Sequence, residues 1–556
     1  MIDTSLISGS FSGIPFVMMG IYIVAVVYLS VKAIAAKKIE DVEVTFEEHY
    51  TANKTMPGFI VALLILVTFY SGSTFTGKVG FVVKHGVAGG MFYIAACVGA
   101  GIALYFLAEK IWPLAKKYRL STLADLMELR YQSKKIKVMI AAVVIAFSLI
   151  WLILEMLTLG YIFSLISGGV ISKTVGSFIG MTLIVTYVMF GGVRSVASVD
   201  SFSALVMLFG SITSMIFLII KFYDGNIFYM FNVIHETAPQ ALTVPLSGEV
   251  AWQVYISYIF LTLFTLMLYP ANYMEICLGE SLREVRKSAI ATAFSGLWNI
   301  VFILISLAGI GLVGLSGLGF EQFADPQSAL LEMAQLTGSS VFFGLVTTFM
   351  FAAALGTVDS TLMSLSGVIS NDIITAFRRI KNNEKCIGSS KDKDSIDKRV
   401  TVNAKKEVRI ARISALVLSL LAFALGTQKL PMMLIMVAYA GEGIMQLIPL
   451  VLGGLYWKKS TPQGAYAGTI VGLISFLVFK NIGFEPFGGL MSGFPALALN
   501  SIVFVVVSKL TADKYYSNYL KKYNHVFEDF FVKGKVLKDL NNDEIDEVGN
   551  DTPAKV

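Results

Sequence analysis

Apolar runs long enough to cross a lipid bilayer recur along almost the whole chain, and no other feature limits its fold so strongly. A crossing helix needs about 20 predominantly apolar residues. Such runs fall at about 11–33, 57–80, 86–108, 137–165, 174–192, 198–222, 252–273, 287–316, 338–370, 407–426, 430–456, 464–481 and 490–511. With 556 residues, 56% of them hydrophobic, and a mean hydropathy of +0.72, the chain reads as an all-α polytopic membrane protein with about 13 transmembrane helices.

The net charge of +6 is a topology signal rather than a nucleic-acid signal. Lys and Arg gather at Lys32–Lys54, Lys110–Lys137, Arg194, Arg283–Lys287, Arg378–Arg412, Lys458–Lys459 and from Lys509 onward. The intervening loops, such as Tyr223–Val250 and Gly319–Thr337, are poor in them. Positive loops stay in the cytoplasm, so the expected orientation in the cell membrane is N-terminus outside and C-terminus cytoplasmic. The opening MIDTSLISGS lacks the basic start of a cleavable signal, and the first run continues as a span. Lys381–Lys406 and the tail from Asn541 read as charged linkers, and Asp224–Val250 has residues enough for a short helix. Three cysteines and four histidines have no metal-ligand spacing. Without a His cluster or nucleophile elbow, the chain is not expected to be an enzyme, and no cofactor is implied.

One stretch breaks the pattern. Met56–Gly86 begins as an ordinary span, then meets Ser71, Gly72, Ser73, Thr74, Thr76 and Gly77 at mid-bilayer depth. Glycine and hydroxylated residues weaken a helix, and irregular backbone in a membrane is tolerated only where it lines a polar cavity. The competing reading is a kinked helix with small residues at a helix–helix contact. Lys78, Glu155 and Glu442 lie deep within spans, where a charge needs a partner or a purpose. Glu155 is the first expected partner for Lys78 and Glu442 the second. Direct contact with a solute is the alternative for each.

Several stretches in order carry a resemblance: EEHYTANKTMPG, STLADLMELRY, GGVRSV before Asp200, FAAALGTVDSTLMSLSGVISNDI and LGGLYWKKSTPQGAYAG. Over roughly residues 45–510 the chain resembles the sodium:solute symporter family, with the inverted five-plus-five helix repeat of the LeuT-type transporters. The resemblance implies a peripheral first helix and linker (1–45), two five-helix repeats (46–225 and 226–456), two C-terminal helices (457–511) and a cytoplasmic tail (512–556). It implies a broken first core helix and import of a small polar or carboxylate-bearing solute coupled to sodium.

Carried onto this chain, the family's common sodium site falls on the carbonyls of Val67, Tyr70 and Ala353 and the Thr357 hydroxyl. A second hydroxyl is replaced by Gly356, which puts that site in doubt. A further site falls on Asp200 and Ser360, with Asp359 beside them; the plain alternative is that Asp200 pairs with Arg194. Ser71, Ser73, Thr74, Lys78, Glu155, Phe264, Thr265 and Glu442 are the implied solute-facing residues, although an aromatic at 264 also fits simple packing. The alternatives to sodium symport are proton coupling, ion-independent transport and a symporter-like sensor. The charge pattern predicts that a cysteine placed in Asp224–Val250 reacts with an impermeant thiol reagent outside sealed cells. One placed beyond Asn541 is protected until the cells are opened.

Overall fold

The computed structural model describes residues 13–39, 45–244, 250–316, 329–389, 404–428 and 433–540. The two linkers expected around Lys381–Lys406 and beyond Asn541 lie largely outside those residues. Among them the chain is helical, and the backbone pairing outside helices includes one isolated bridge between Met56 and Gly279. In order, the helices are α1 Ile14–Ile39, α2 Phe46–Thr51, α3 Gly58–Phe69, α4 Gly72–His85, α5 Ala88–Lys117, α6 Leu123–Tyr131 and α7 Lys134–Ile166. Then come α8 Lys173–Phe222, α9 Ile227–Thr237, α10 Trp252–Thr265, α11 Pro270–Leu278, α12 Leu282–Ser295, α13 Asn299–Ser316, α14 Ala329–Leu336, α15 Ser340–Gly367 and α16 Ala376–Lys381. The last five are α17 Ala404–Gly426, α18 Met433–Ile444, α19 Ile448–Tyr456, α20 Pro462–Asn481 and α21 Gly493–Phe531. The short helix foreseen in Asp224–Val250 is α9, capped by the Asn226 side chain accepting from the amides of Phe228 and Tyr229.

Ten described helices are long and apolar enough to cross a membrane, and two bent pairs bring the number to twelve. The expected count of 13 differs because the runs at 174–192 and 198–222 are counted together in α8, whose 50 residues are enough for two crossings. Gly192 interrupts this helix with φ 67, and a Cβ there would sit 2.7 Å from the His49 ring, so only glycine fits.

Both bent pairs have readable causes. Between α3 and α4 the axes turn by 54°, and Ser71 caps the new start by accepting from the Thr74 amide at 3.0 Å. Between the helix ending at Leu268 and α11 the turn is 60°. Pro270 opens α11, and Tyr269 before it is extended, because proline lacks an amide hydrogen and disfavours helix in its predecessor.

Burial separates centre from periphery. In Ser340–Lys381, 89% of the apolar window is buried, against 28% for Ile14–Ala36 and 33% for Pro462–Asn481. The central helix α15 packs on α1, α7 and α8 and against both halves of the first broken helix. Its end passes into π-helical turns over Val368–Thr375. There Lys137, fully buried, meets Asp125 Oδ1 at 2.6 Å, Asp372 Oδ1 at 3.3 Å and Glu128 Oε2 at 3.5 Å, tying α7, α6 and the π-helical turns together. Nearby, α21 is held to α5 and α6. Lys117 reaches Asp529 at 2.8 Å, the Tyr118 hydroxyl donates to the same carboxylate at 2.6 Å, and the Arg130 guanidinium donates to the Tyr516 hydroxyl at 2.8 Å. Burial beside Asp529 pushes the Tyr118 phenol well above its ordinary range.

Removing one member of a buried ion pair costs about 3–5 kcal/mol because the survivor is left uncompensated. Lys137→Met is therefore expected to lower the thermal midpoint of the purified protein sharply. Lys137→Met combined with Asp125→Asn should recover part of the loss, as read by a thermal unfolding curve in detergent.

Candidate functional site

The break between α3 and α4 is filled by a carboxylate from α7. Glu155 accepts from the Ser73 amide at 3.1 Å and from the Ser73 hydroxyl at 2.5 Å, at the positive end of α4. Gly72 permits this approach, since a Cβ there would lie 2.7 Å from Ala354 Cβ and 2.9 Å from Glu155 Oε2. The Ser71 hydroxyl, besides capping α4, sits 2.7 Å from the Thr74 hydroxyl.

Beside the break lies a cavity of about 150 Å³. Ser73, Thr74 and Lys78 of α4 line it, as do Ser148 and Trp151 of α7 and Thr265 before the second break. Ser148, Trp151 and Glu155 follow one face of α7 at helical spacing, and Glu155 reaches past the cavity to the start of α4. Lys78 does not pair with Glu155 or with Glu442. Its ammonium donates to Asn299 Oδ1 at 2.9 Å and stands 4.4 Å from the ring centroids of both Tyr70 and Tyr93. The Asn299 amide in turn donates to the Tyr70 hydroxyl at 2.9 Å, and that hydroxyl to the Ser295 carbonyl. An amide oxygen and two ring faces stabilise the cation where an ion pair was expected.

Two other expected solute contacts are turned elsewhere. Glu442 pairs with Lys480 of α20 at 2.8 Å and accepts from the Gly493 amide at 2.7 Å. The residues of α18 that touch the cavity are Val437 and the neighbour of Glu442, Gly441. Gln446 donates to the Glu442 carbonyl, not to its carboxylate. Phe264 stacks on Phe260 and faces a separate small cavity with Leu268 and Ile448, so packing is its role.

The expected ion ligands lie along the seam of α3, α8 and α15, and one of them, Thr357, also lines the cavity. The Thr357 hydroxyl lies 3.3 Å from the Val67 carbonyl and 3.2 Å from the Ala353 carbonyl. Tyr70 leaves helical geometry with ψ 69. Ser360 donates to Asp200 Oδ2 at 2.8 Å, while the buried Asp200 Oδ1 receives no hydroxyl or amide donor, and the Asp200 and Asp359 carboxyl groups lie against each other. Arg194 pairs with Glu48 at 2.6 Å and is not the partner of Asp200. Asp359 accepts from Tyr187 and from the Ser360 amide. A carboxylate not singled out in the sequence, Glu275 of α11, accepts from Thr68 at 2.5 Å and keeps its other oxygen unpartnered and buried. It joins the first broken helix to the second, and Pro270 five residues earlier is the signal that marks this stretch.

The sequence model of the sodium:solute symporter family matches residues 49–391 and 394–472. The chain belongs to the sodium:solute symporter family. It is similar to an uncharacterized symporter, YwcA of Bacillus subtilis (strain 168), with 26% identity over 466 residues, covering 82% of this chain and 86% of that one. A Na+-coupled sialic acid symporter in a substrate-bound outward-open state has the same fold. It aligns at a TM-score of 0.69 and 17% identity, over 91% of this chain and 98% of that one. A nucleobase-cation-symport-1 family transporter in a closed conformation aligns at a TM-score of 0.48 and 13% identity, over 84% of this chain and 98% of its own. The LeuT-type architecture expected from the motifs is thus the fold of this membrane symporter.

Because Lys78 and Glu155 have separate partners, their substitutions should act independently. Lys78→Met and Glu155→Gln are each expected to lower stability, and the double variant should show the sum within about 0.5 kcal/mol. Denaturation of the four proteins measures that coupling.

Proposed function

We propose that the protein imports a small polar or carboxylate-bearing solute by symport with sodium. The solute occupies the cavity beside the first break, and the ion binds in the seam of α3, α8 and α15. One observation carries the ion assignment. A Cβ added at Gly356 would fall 2.1 Å from Val67 Cγ1 and 2.9 Å from Asp200 Oδ1. The missing hydroxyl at 356 therefore leaves room for α3 to close on α15, and a carboxylate oxygen with no hydroxyl or amide donor points into that same space. Asp200 supplies the hard oxygen that a side chain at 356 would have supplied, beside Thr357, Ser360 and the carbonyls of Val67, Tyr70 and Ala353. In this reading the two ion positions of the family draw on one carboxylate. Residues 46–225 and 226–456 act as the two repeats, and the N-terminus lies outside.

A second reading, proton coupling, is favoured by the three buried carboxyl groups of Asp200, Asp359 and Glu275. None of them forms an ion pair among the described residues. Uptake by proteoliposomes separates the two. A sodium gradient should stimulate uptake in the wild type, and Asp200→Asn should abolish the stimulation while the protein stays folded. Gly356→Ser should impair uptake through the Val67 contact rather than improve it. Uptake that ignores sodium and follows a pH gradient replaces sodium with the proton.

A further inference from the structure

We propose that the solute is a small monocarboxylate, of about four to six non-hydrogen atoms, whose carboxylate is held by Lys78; this rests on the cavity being the solute site. Among the described residues lining the cavity, Lys78 is the one ionised side chain. Its three donors are only partly used. One goes to Asn299, and the two tyrosine faces stabilise its charge without neutralising it. The acids that would favour a zwitterion are engaged elsewhere, Glu155 on the start of α4 and Glu442 on Lys480. A solute ammonium therefore meets no carboxylate in the cavity, and a second anionic group meets no second cation. A neutral solute leaves the buried lysine without a counter-ion. One negative charge completes the site.

The rest of the wall limits what else the solute carries. Ser148 contributes to it, and its buried Oγ has no hydrogen-bond partner. The remaining wall is largely apolar, with Trp151, Leu261, Tyr269 and Val437 facing it, and it suits a short hydrocarbon end. A cavity of about 150 Å³ is the size that holds a benzene-sized guest, which suits a solute this small.

The test uses the full-length protein with lactate, lactamide and alanine as probes at equal sodium and ionic strength. Lactate is expected to raise the thermal midpoint of the purified protein, and lactamide and alanine to leave it unchanged. In proteoliposomes, labelled lactate should enter, and unlabelled acetate and pyruvate should compete while lactamide does not. Lys78→Gln should weaken lactate uptake by about tenfold or more, the size of one lost charge-assisted hydrogen bond. The wild-type measurements decide even where that variant does not fold. Competition by lactamide or alanine as strong as that by pyruvate overturns the proposal. So does a thermal midpoint that none of the probes moves, or lactate uptake unchanged in Lys78→Gln. Lactate that binds and enters without regard to the sodium gradient sustains the monocarboxylate and removes the coupling ion. A sodium-driven neutral sugar does the reverse.

Discussion

The seat of Glu155 against the start of α4 is the contact on which the centre of the molecule depends. A helix interrupted in mid-membrane exposes amides with no partner in their own segment, and leaving them bare in lipid is prohibitive. Here the carboxylate of a neighbouring helix takes them, helped by the Ser73 hydroxyl and by the missing side chain at Gly72. In an interrupted transporter helix these amides commonly face an anionic group of the solute. This protein supplies the anion from its own chain, and the next cation along α4, Lys78, stands a little more than one helical turn onward.

The same geometry explains how much was legible beforehand. Long apolar runs announce spans because the bilayer leaves few options for backbone, and the Ser-Gly-Ser-Thr cluster announces a break for the same reason. The ion ligands expected on α15, Ala353, Thr357 and Ser360, come only from the resemblance to the symporter family; no local pattern marks them. Pairings were harder. The premise that a buried cation sits against an opposite charge points to a carboxylate for Lys78, but an asparagine and two aromatic faces surround it instead and leave no mark as charged residues. Asn299 inside an otherwise apolar run is the trace they do leave. The partner of Glu442 sits near the end of another span, where a lysine reads as an interfacial anchor. Pro270 was the clearest signal passed over. A proline in an apolar run marks a second break, and with it Glu275.

The polar interior is divided by chemistry. One part holds Lys78, aromatic faces and hydroxyls, and another holds Asp200, Asp359 and Glu275 with their hydroxyl donors. α15 touches both, through Thr357 and Thr361 toward the cavity and Ser360 toward Asp200. The cation and the buried carboxyl groups thus stand apart, joined through α3 and α15.

The 39 residues of α21, which lose helical geometry at Tyr523, outnumber the roughly 20 that a crossing needs, so its later turns stand outside the lipid. That outer part is anchored by Asp529 to Lys117 and Tyr118 and by Tyr516 to Arg130. Tension on these outer turns is therefore delivered to α5 and α6 before it reaches the membrane-embedded turns of α21. The contacts act as a strain relief: the bundle feels such a load only after this outer clasp has parted.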